Sequence, residues 1–313
     1  MKYFIITVDT EGDNGWGYHD GDKVKTENTL WIPRFQELCD KYGMKPVYLT
    51  NYEMICDDRF VSYIKPKVEK GLCEVGIHIH AWNNPPMYNL DRKYSGNAYL
   101  IEYPREIMHE KFAVTYNLIK ERIGVAPVTH RAGRWVMNDD YFQLLEEFGI
   151  KIDCSMTPGI SWGTTPGTTI AGGSDYSAIE NKAFKKGNIL EVPVTIQKLH
   201  IGDGGLKQRI RYLILGKNIW LRPALSSLRD MIRIIDCSNN SNYVEFMIHS
   251  SELMPGGSPY FKEESDIERL FDTMESLFIY AKEKGYITKT LGQYYDECHL
   301  RQNLIYKKYT SQR

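Results

Sequence analysis

Short apolar runs alternate with longer amphipathic stretches from the first residues of the chain onward. The runs of strand length lie at 2–8, 45–50, 73–80, 127–131, 151–154, 188–195 and 243–250. The stretches with helical periodicity lie at about 28–42, 104–122, 138–148 and 264–284, and a strand–helix pair follows at 286–297. Because apolar strands that alternate with helices form parallel sheets covered on both faces, this pattern predicts an α/β protein.

The number of repeated units favours a barrel over an open sheet. About seven βα units fit one (β/α) barrel domain over residues 1–300. The barrel does not need the segment at about 197–242, so we expect a helical insert before the last barrel strand. The polar residues 301–313 are expected to form a tail.

Composition narrows the class of protein. The 313 residues carry a formal net charge of −1, which gives no reason to expect a nucleic-acid partner. The N-terminal apolar stretch is too short for an export signal. The sequence contains no run of about 18 apolar residues, which a membrane-spanning helix would need. The six cysteines form no CxxC pair. We therefore expect a cytoplasmic protein with reduced thiols.

Polar residues follow several predicted strands at the point where each strand ends, which is where (β/α) barrels place their active sites. Asp9 and Glu11 end the first strand, and His78 and His80 end the third. A spacing of two places both members of a pair on one face of a strand, so the two imidazoles could bind one metal ion. An acidic turn is the alternative explanation for the first pair.

Three further strand ends carry candidate chemistry, at Arg131, Asp153 and His249. An arginine that faces Asp9 would keep this acid ionised and oriented. The alternatives are a surface arginine and a histidine that simply packs in the core.

The segments TVDTEGD, EVGIHIHAWNNPP, HRAGRW, DCSMTPG, LEVPVT and MIHSSELMPGG resemble the polysaccharide deacetylases of the NodB-homology type, carbohydrate esterase family 4. They occur in family order between residue 5 and about residue 256, and the likeness is strongest to a bacterial branch associated with glycan and surface-polysaccharide gene clusters. The resemblance implies a distorted (β/α)7 barrel. It also implies a metal-dependent hydrolase that removes an N-acyl group, normally acetyl, from an amino sugar.

The resemblance also implies roles for the first two motifs. Asp9 matches the catalytic base, and Thr10 stands where the family has a metal-binding aspartate, so Glu11 is the implied replacement ligand. His78 matches the first metal histidine. Trp82 stands where the second histidine would fall, so His80 is the implied substitute. Zinc is the expected metal, with cobalt, manganese or iron as alternatives.

In the later motifs, Arg131 matches the arginine that orients the base, and His249 matches the histidine that protonates the leaving nitrogen. Asp153 matches an acid that supports this histidine. The remaining candidates are expected to contact the sugar, with core packing as the alternative for the tryptophans: Trp82, Arg134, Trp135, Trp162 and Glu252.

The predicted insert is rich in basic residues. Residues 204–235 contain seven Lys or Arg side chains and one acid, Asp230. A helical cap with a solvated charged face is the favoured interpretation. A peripheral contact with anionic lipid at the inner face of the membrane, or with the diphosphate of a carrier-linked sugar, is the alternative.

Three other functions fit parts of the sequence. A glycosyltransferase would use the Asp-Thr-Glu acids but leaves the two histidines unexplained. A metal-free C–N hydrolase or deformylase on the same fold would explain the altered histidine spacing. A non-catalytic glycan-binding barrel would not require all of the charged strand ends. Free, nucleotide-linked and lipid-linked amino sugars all fit as substrates.

Overall fold

The computed structural model describes residues 1–13, 15, 23–200, 206–238 and 241–299, so the predicted tail lies outside the described residues. The strands are β1 Lys2–Thr10, β2 Pro46–Thr50, β3 Glu74–Ile79, β4 Thr129–Ala132, β5 Ile152–Asp153, β6 Phe184–Lys186, β7 Ile189–Glu191, β8 Ile196–Leu199, β9 Lys217–Trp220, β10 Tyr243–His249 and β11 Tyr286–Thr288. The helices are α1 Ile32–Tyr42, α2 Tyr52–Cys56, α3 Asp58–Glu69, α4 Arg105–Ile123, α5 Asp139–Glu147, α6 Leu206–Leu215, α7 Leu228–Cys237 and α8 Glu264–Glu283, and the described residues 291–299 are also helical.

The main sheet is parallel and curls into a half-barrel. Its strands follow the order β10-β1-β2-β3-β4-β5-β7, and each neighbouring pair is parallel. Strand β6 adds an antiparallel edge beside β7, and β11 pairs with the start of β1. The predicted α/β class and barrel-like fold are therefore confirmed.

Strand β1 is buried on both faces, as its unbroken apolar run predicts. Phe4, Ile6 and Val8 belong to the core between the sheet and the helices. Tyr3 and Ile5 belong to a second apolar cluster on the inner side of the curled sheet. This alternation follows from the period of two along a strand, and it separates inward-facing from outward-facing positions around the barrel.

The insert is more than the helical cap that the sequence predicts. Strands β8 and β9 form an antiparallel hairpin with α6 between them. Helix α7 buries Met231, Ile234 and Ile235 in the main core, so it is part of the barrel wall. Among the residues of the insert that the structure describes, Ile210, Leu213, Ile214 and Leu215 of α6 are exposed apolar side chains.

Candidate active site

The polar strand ends meet at one mouth of the half-barrel. Asp9 and His249 are register partners on β1 and β10, and His78 and Arg131 are register partners on β3 and β4. The cavity at this mouth has a volume of about 430 Å³. Nine predicted site residues line it: Asp9, Glu11, His78, His80, Trp82, Arg134, Trp135, Trp162 and His249.

Glu11, His78 and His80 converge on one point. The Nε2 atoms of the two histidines lie 3.1 Å apart, and Glu11 Oε2 lies 3.1 Å from His80 Nε2 and 3.7 Å from His78 Nε2. All three side chains are buried. Burial alone would raise the pKa of Glu11, but His80 and His249 in their protonated forms and hydrogen bonds from His78 and His80 bring it well below its usual range, so Glu11 is a carboxylate.

The hydrogen bond on the far side of His78 tests whether these residues suit a metal ion. His78 Nδ1 lies 2.9 Å from the carbonyl oxygen of Arg131. Because a carbonyl only accepts, Nδ1 carries the hydrogen in this bond, and the ring in its neutral form presents the lone pair of Nε2 to the cavity. Metal-binding histidines are commonly oriented in this way. Two imidazole nitrogens and one carboxylate therefore fit a divalent metal.

The end of β4 passes very close to this cluster. A Cβ atom on Gly133 would lie 2.2 Å from the carbonyl oxygen of Ile79 and 2.7 Å from His80 Cδ2. The next two residues, Arg134 and Trp135, have positive φ angles of 57° and 67°. Positive φ is uncommon for residues with side chains, and it occurs often at functional sites. Here the turn places Trp135 on the cavity wall.

Arg131 makes the predicted contact with Asp9. Its Nη1 donates to Asp9 Oδ1 at 2.5 Å, and its Nε donates to the carbonyl of Cys154. Burial raises the pKa of Asp9, but the charge of Arg131, together with His78 and His249 in their protonated forms, lowers it. Asp9 is therefore an oriented carboxylate beside the metal-binding cluster.

Arg131 also contacts a second acid that the sequence analysis did not select. Its Nη2 donates to Glu245 on β10 and, at 2.9 Å, to Thr7 Oγ1. Burial raises the pKa of Glu245 to about 7, although Arg131 and Thr7 act in the opposite direction. The sequence could have pointed to Glu245, because it is an acid inside the apolar run YVEFMIH and a charge at a buried strand position requires a partner.

The predicted contact between Asp153 and His249 is wrong. Asp153 is fully buried and bonds His130 Nδ1 and Ser155 Oγ, each at 2.7 Å. Its neighbour Ile152 faces the inner side of the sheet, so Asp153 faces the helices. The ring of His130 packs against α4 and α5 in the same layer.

Arg222 and Glu252 stand beside His249 instead. Arg222 Nη2 lies 2.9 Å from His249 Nδ1 and 2.5 Å from Glu252 Oε1. Glu252 is fully buried behind the cavity wall, so its predicted role as a sugar contact is not supported. Arg222 lines the cavity, whereas the sequence analysis assigned it to a basic surface. In the sequence, its position directly after the apolar run 219–221 was the only local indication that Arg222 is buried.

Aromatic rings form much of the cavity wall. Trp82 stacks on His80 with ring centroids 4.4 Å apart, and Trp162 Nε1 donates to Thr157 Oγ1. Trp220, which was not predicted, lies 5.9 Å from Trp135 between ring centroids. Such walls suit the apolar faces of sugar rings.

Arg134 lines the cavity, but its guanidinium is engaged by the protein. It donates to the carbonyls of Asn97 and Pro166, and it stacks over Tyr99 at 4.2 Å from the ring centroid. It therefore supports the loop that borders the cavity.

No protein-family model matches the chain, and no curated protein matches it significantly. Solved structures match over most of its length. A Mycobacterium smegmatis protein named as a polysaccharide deacetylase is 14% identical, with 93% of this chain and 94% of that chain covered and a TM-score of 0.48. A family 4 acetyl xylan esterase from Clostridium thermocellum, solved with a cobalt ion, is 13% identical, with 93% and 89% covered and a TM-score of 0.46.

A 4-α-glucanotransferase from Thermococcus litoralis is 11% identical, with a TM-score of 0.51, and the match covers 95% of this chain and 38% of that chain. Identities this low concern the fold alone. The solved structures that this chain is similar to thus include proteins named as a polysaccharide deacetylase and a family 4 carbohydrate esterase, the family that the sequence motifs resemble.

Proposed function

We propose that this protein is a metal-dependent hydrolase that removes an N-acyl group, normally acetyl, from an amino sugar in glycan or surface-polysaccharide synthesis. The observation that carries the proposal is the position of Glu11, His78 and His80 next to Asp9 in one aromatic-walled cavity. Zinc suits two imidazoles and a carboxylate, and cobalt, manganese and iron(II) are alternatives.

Asp9 is the general base in this proposal. A metal held by Glu11, His78 and His80 would polarise the amide carbonyl and make a water molecule more acidic. Arg131 holds Asp9 Oδ1, while Oδ2 faces His249 Nε2 at 3.6 Å across the cavity. Asp9 is thus placed to take the proton of the attacking water.

The first test is the metal content of the purified protein. We expect one divalent ion per chain, lost in His78→Ala and in His80→Ala but retained in the control His200→Ala, whose histidine is exposed. The same proteins are assayed for acetate release from free, nucleotide-linked and lipid-linked N-acetylated amino sugars. A wild type that binds no metal after reconstitution would contradict the proposal in favour of a metal-free hydrolase or a glycan-binding barrel.

We further propose that the protein acts in the cytoplasm and contacts the inner face of the membrane through α6. Ile210, Leu213 and Ile214 are at least half exposed and lie on one side of this helix, while Tyr212 packs against the core. The segment 204–229 contains no acid. Its basic residues are Lys207, Arg209, Arg211, Lys217, Arg222 and Arg229.

Charge favours anionic lipid over a second copy of this chain as the partner of α6. A symmetric dimer would bring two basic segments face to face, whereas anionic headgroups would complement them. Arg222 is excluded from this surface because it is buried in the active site. Within the described residues, no helix is both long and apolar enough to cross a membrane, so the proposed contact is peripheral.

Vesicle co-sedimentation tests this contact. We expect binding to vesicles with anionic lipid, weaker binding at high salt, and no binding to neutral vesicles. Ile214→Ser should weaken binding, while Ile287→Ser, which changes an exposed isoleucine on β11, should not. Equal binding of both variants, or concentration-dependent dimerisation that Ile214→Ser abolishes, would overturn the proposal.

A further inference from the structure

His249 is bordered by an arginine where a carboxylate was predicted. Arg222 is 5% exposed, and its Nη2 contacts both His249 Nδ1 and Glu252 Oε1. Glu252 Oε2 also accepts the backbone N–H of His249 at 3.1 Å. One buried carboxylate therefore holds both the arginine and the backbone of the histidine.

The chemistry of the guanidinium decides what this contact means. A guanidinium has five N–H donors and no acceptor, and it stays charged. His249 Nδ1 must therefore accept the hydrogen bond and carry no hydrogen. The ring hydrogen is then on Nε2, which lies 3.6 Å from Asp9 Oδ2 and 3.9 Å from Glu11 Oε1.

The electrostatic environment of Glu252 keeps this arrangement in place. Burial raises the pKa of Glu252, but the charge of Arg222 and the hydrogen bonds from Arg222 and His249 lower it. Glu252 is thus a carboxylate that can accept from Arg222. Glu252 Oε2 also lies 3.9 Å from His249 Nδ1, so a carboxylate acceptor stands beside this nitrogen if the arginine is removed.

We propose that Arg222, held by Glu252, is a positioning residue that fixes His249 as a neutral donor with its hydrogen on Nε2. This inference rests on the proposed hydrolysis for its catalytic consequence. His249 then donates a hydrogen bond to the substrate instead of supplying the proton of the leaving group.

Asp9 carries that proton in both directions. The water O–H bond breaks as Asp9 takes the proton, and the water oxygen bonds to the acyl carbon while the carbonyl π pair moves to its oxygen. When the C–N bond breaks, its electron pair stays on nitrogen, and Asp9 returns the proton to that nitrogen. The products are the free amine and the carboxylic acid, and Asp9 is again a carboxylate.

Nitrogen-15 NMR of the histidine side chains tests the positioning role without an activity assay. In the wild-type protein loaded with Zn²⁺, we expect His249 Nδ1 to lack a hydrogen and Nε2 to carry one. In Arg222→Met, the guanidinium is gone and the Glu252 carboxylate still faces Nδ1, so Nδ1 should gain a hydrogen. His78 is the internal control, because its Nδ1 donates to the Arg131 carbonyl in both proteins.

Two further variants keep the test decisive. Arg222→Met with Glu252→Gln should not gain the Nδ1 hydrogen, and Arg222→Lys should partly restore the wild-type state. In the hydrolysis assay, Arg222→Met should lower kcat on the order of tenfold to a hundredfold with little change in KM, because the donor is misplaced. A raised KM, with His249 Nδ1 still lacking a hydrogen, would identify Arg222 as a substrate contact instead.

The two proposals fail in different ways. An Nδ1 that is protonated in the wild type, or unchanged in Arg222→Met, overturns the positioning role whatever the protein hydrolyses. The expected change at Nδ1 without hydrolysis in any variant supports the positioning role and overturns the proposed function.

Discussion

Arg131 is the residue on which the geometry of the site depends most. It is fully buried, and its guanidinium joins Asp9 on β1, Glu245 on β10 and the backbone after β5. Two carboxylates share this one cation. Because one arginine compensates only part of the burial of two acids, the pKa of Asp9 is lowered while that of Glu245 is raised to about 7.

Asp9→Asn tests the base at the residue scale. The amide cannot take a proton from water, so acetate release should fall by about 10²–10⁴-fold. The metal ligands are unchanged, so elemental analysis should still find the metal of the wild type. Near-native turnover of Asp9→Asn would contradict the assignment.

Glu245→Gln tests the raised pKa. The folded state keeps a proton that the unfolded chain releases near pH 4.5, so Glu245 contributes stability at low pH that is lost as the pH rises toward 7. The free energy of unfolding of the wild type relative to Glu245→Gln should thus fall by up to about 3 kcal/mol between pH 4.5 and about pH 8. Urea titrations of metal-free protein measure this, and parallel pH profiles would exclude it.

At the scale of elements, the close approach of β3 and β4 builds the metal-binding cluster. His78 and His80 come from β3 and the residue that follows it, and the backbone of Gly133 lies against both Ile79 and His80. The glycine is required by space, since no side chain fits between the two strand ends. The histidine pair is thereby held by backbone contacts on one side and by Trp82 on the other.

Gly133→Ala should push β3 and β4 apart at this point. We expect a loss of about 1–3 kcal/mol in the free energy of unfolding, together with weaker metal binding, because His80 must move. Gly163→Ala is the matched control, since its added Cβ would meet only Ser161 Oγ at 3.4 Å. Denaturant titration and metal competition with a chelator measure both effects, and equal behaviour of the two variants would refute the packing argument.

At the scale of the molecule, the half-barrel is closed by the insert. No ladder pairs β7 with β10 in the part of the chain that the structure describes. Instead, Thr195 Oγ1 accepts the Glu245 amide at 2.8 Å, and Leu221 links Thr195 to Met247 through backbone hydrogen bonds. The same stretch brings Trp220 and Arg222 to the cavity. The residues that close the half-barrel therefore also complete the wall of the site.

Thr195→Val should weaken this connection between Thr195 and β10. It leaves the buried amide of Glu245 without its acceptor, which should cost about 1–3 kcal/mol of stability and speed hydrogen exchange at that amide. Thr195→Ser keeps the hydroxyl and should behave like the wild type. Slow exchange of the Glu245 amide in Thr195→Val would show that other contacts hold β10 in place.

The sequence by itself determined the α/β class and grouped Asp9, Glu11, His78, His80, Arg131 and His249. Two regularities made this possible: the period of two along a strand, and the common edge at which parallel strands end. Both are local, so they can be read without knowing how distant segments pack.

Only the tertiary structure decided the partners of these residues. Asp153 lies on a two-residue strand, too short for its periodicity to show which face it takes. Arg222 reaches His249 from the insert, in which the sequence analysis predicted no strand. Glu245 pairs with Arg131 across the inside of the barrel. Contacts between segments far apart in the chain depend on packing, because a buried charge accepts whichever partner the fold brings to it.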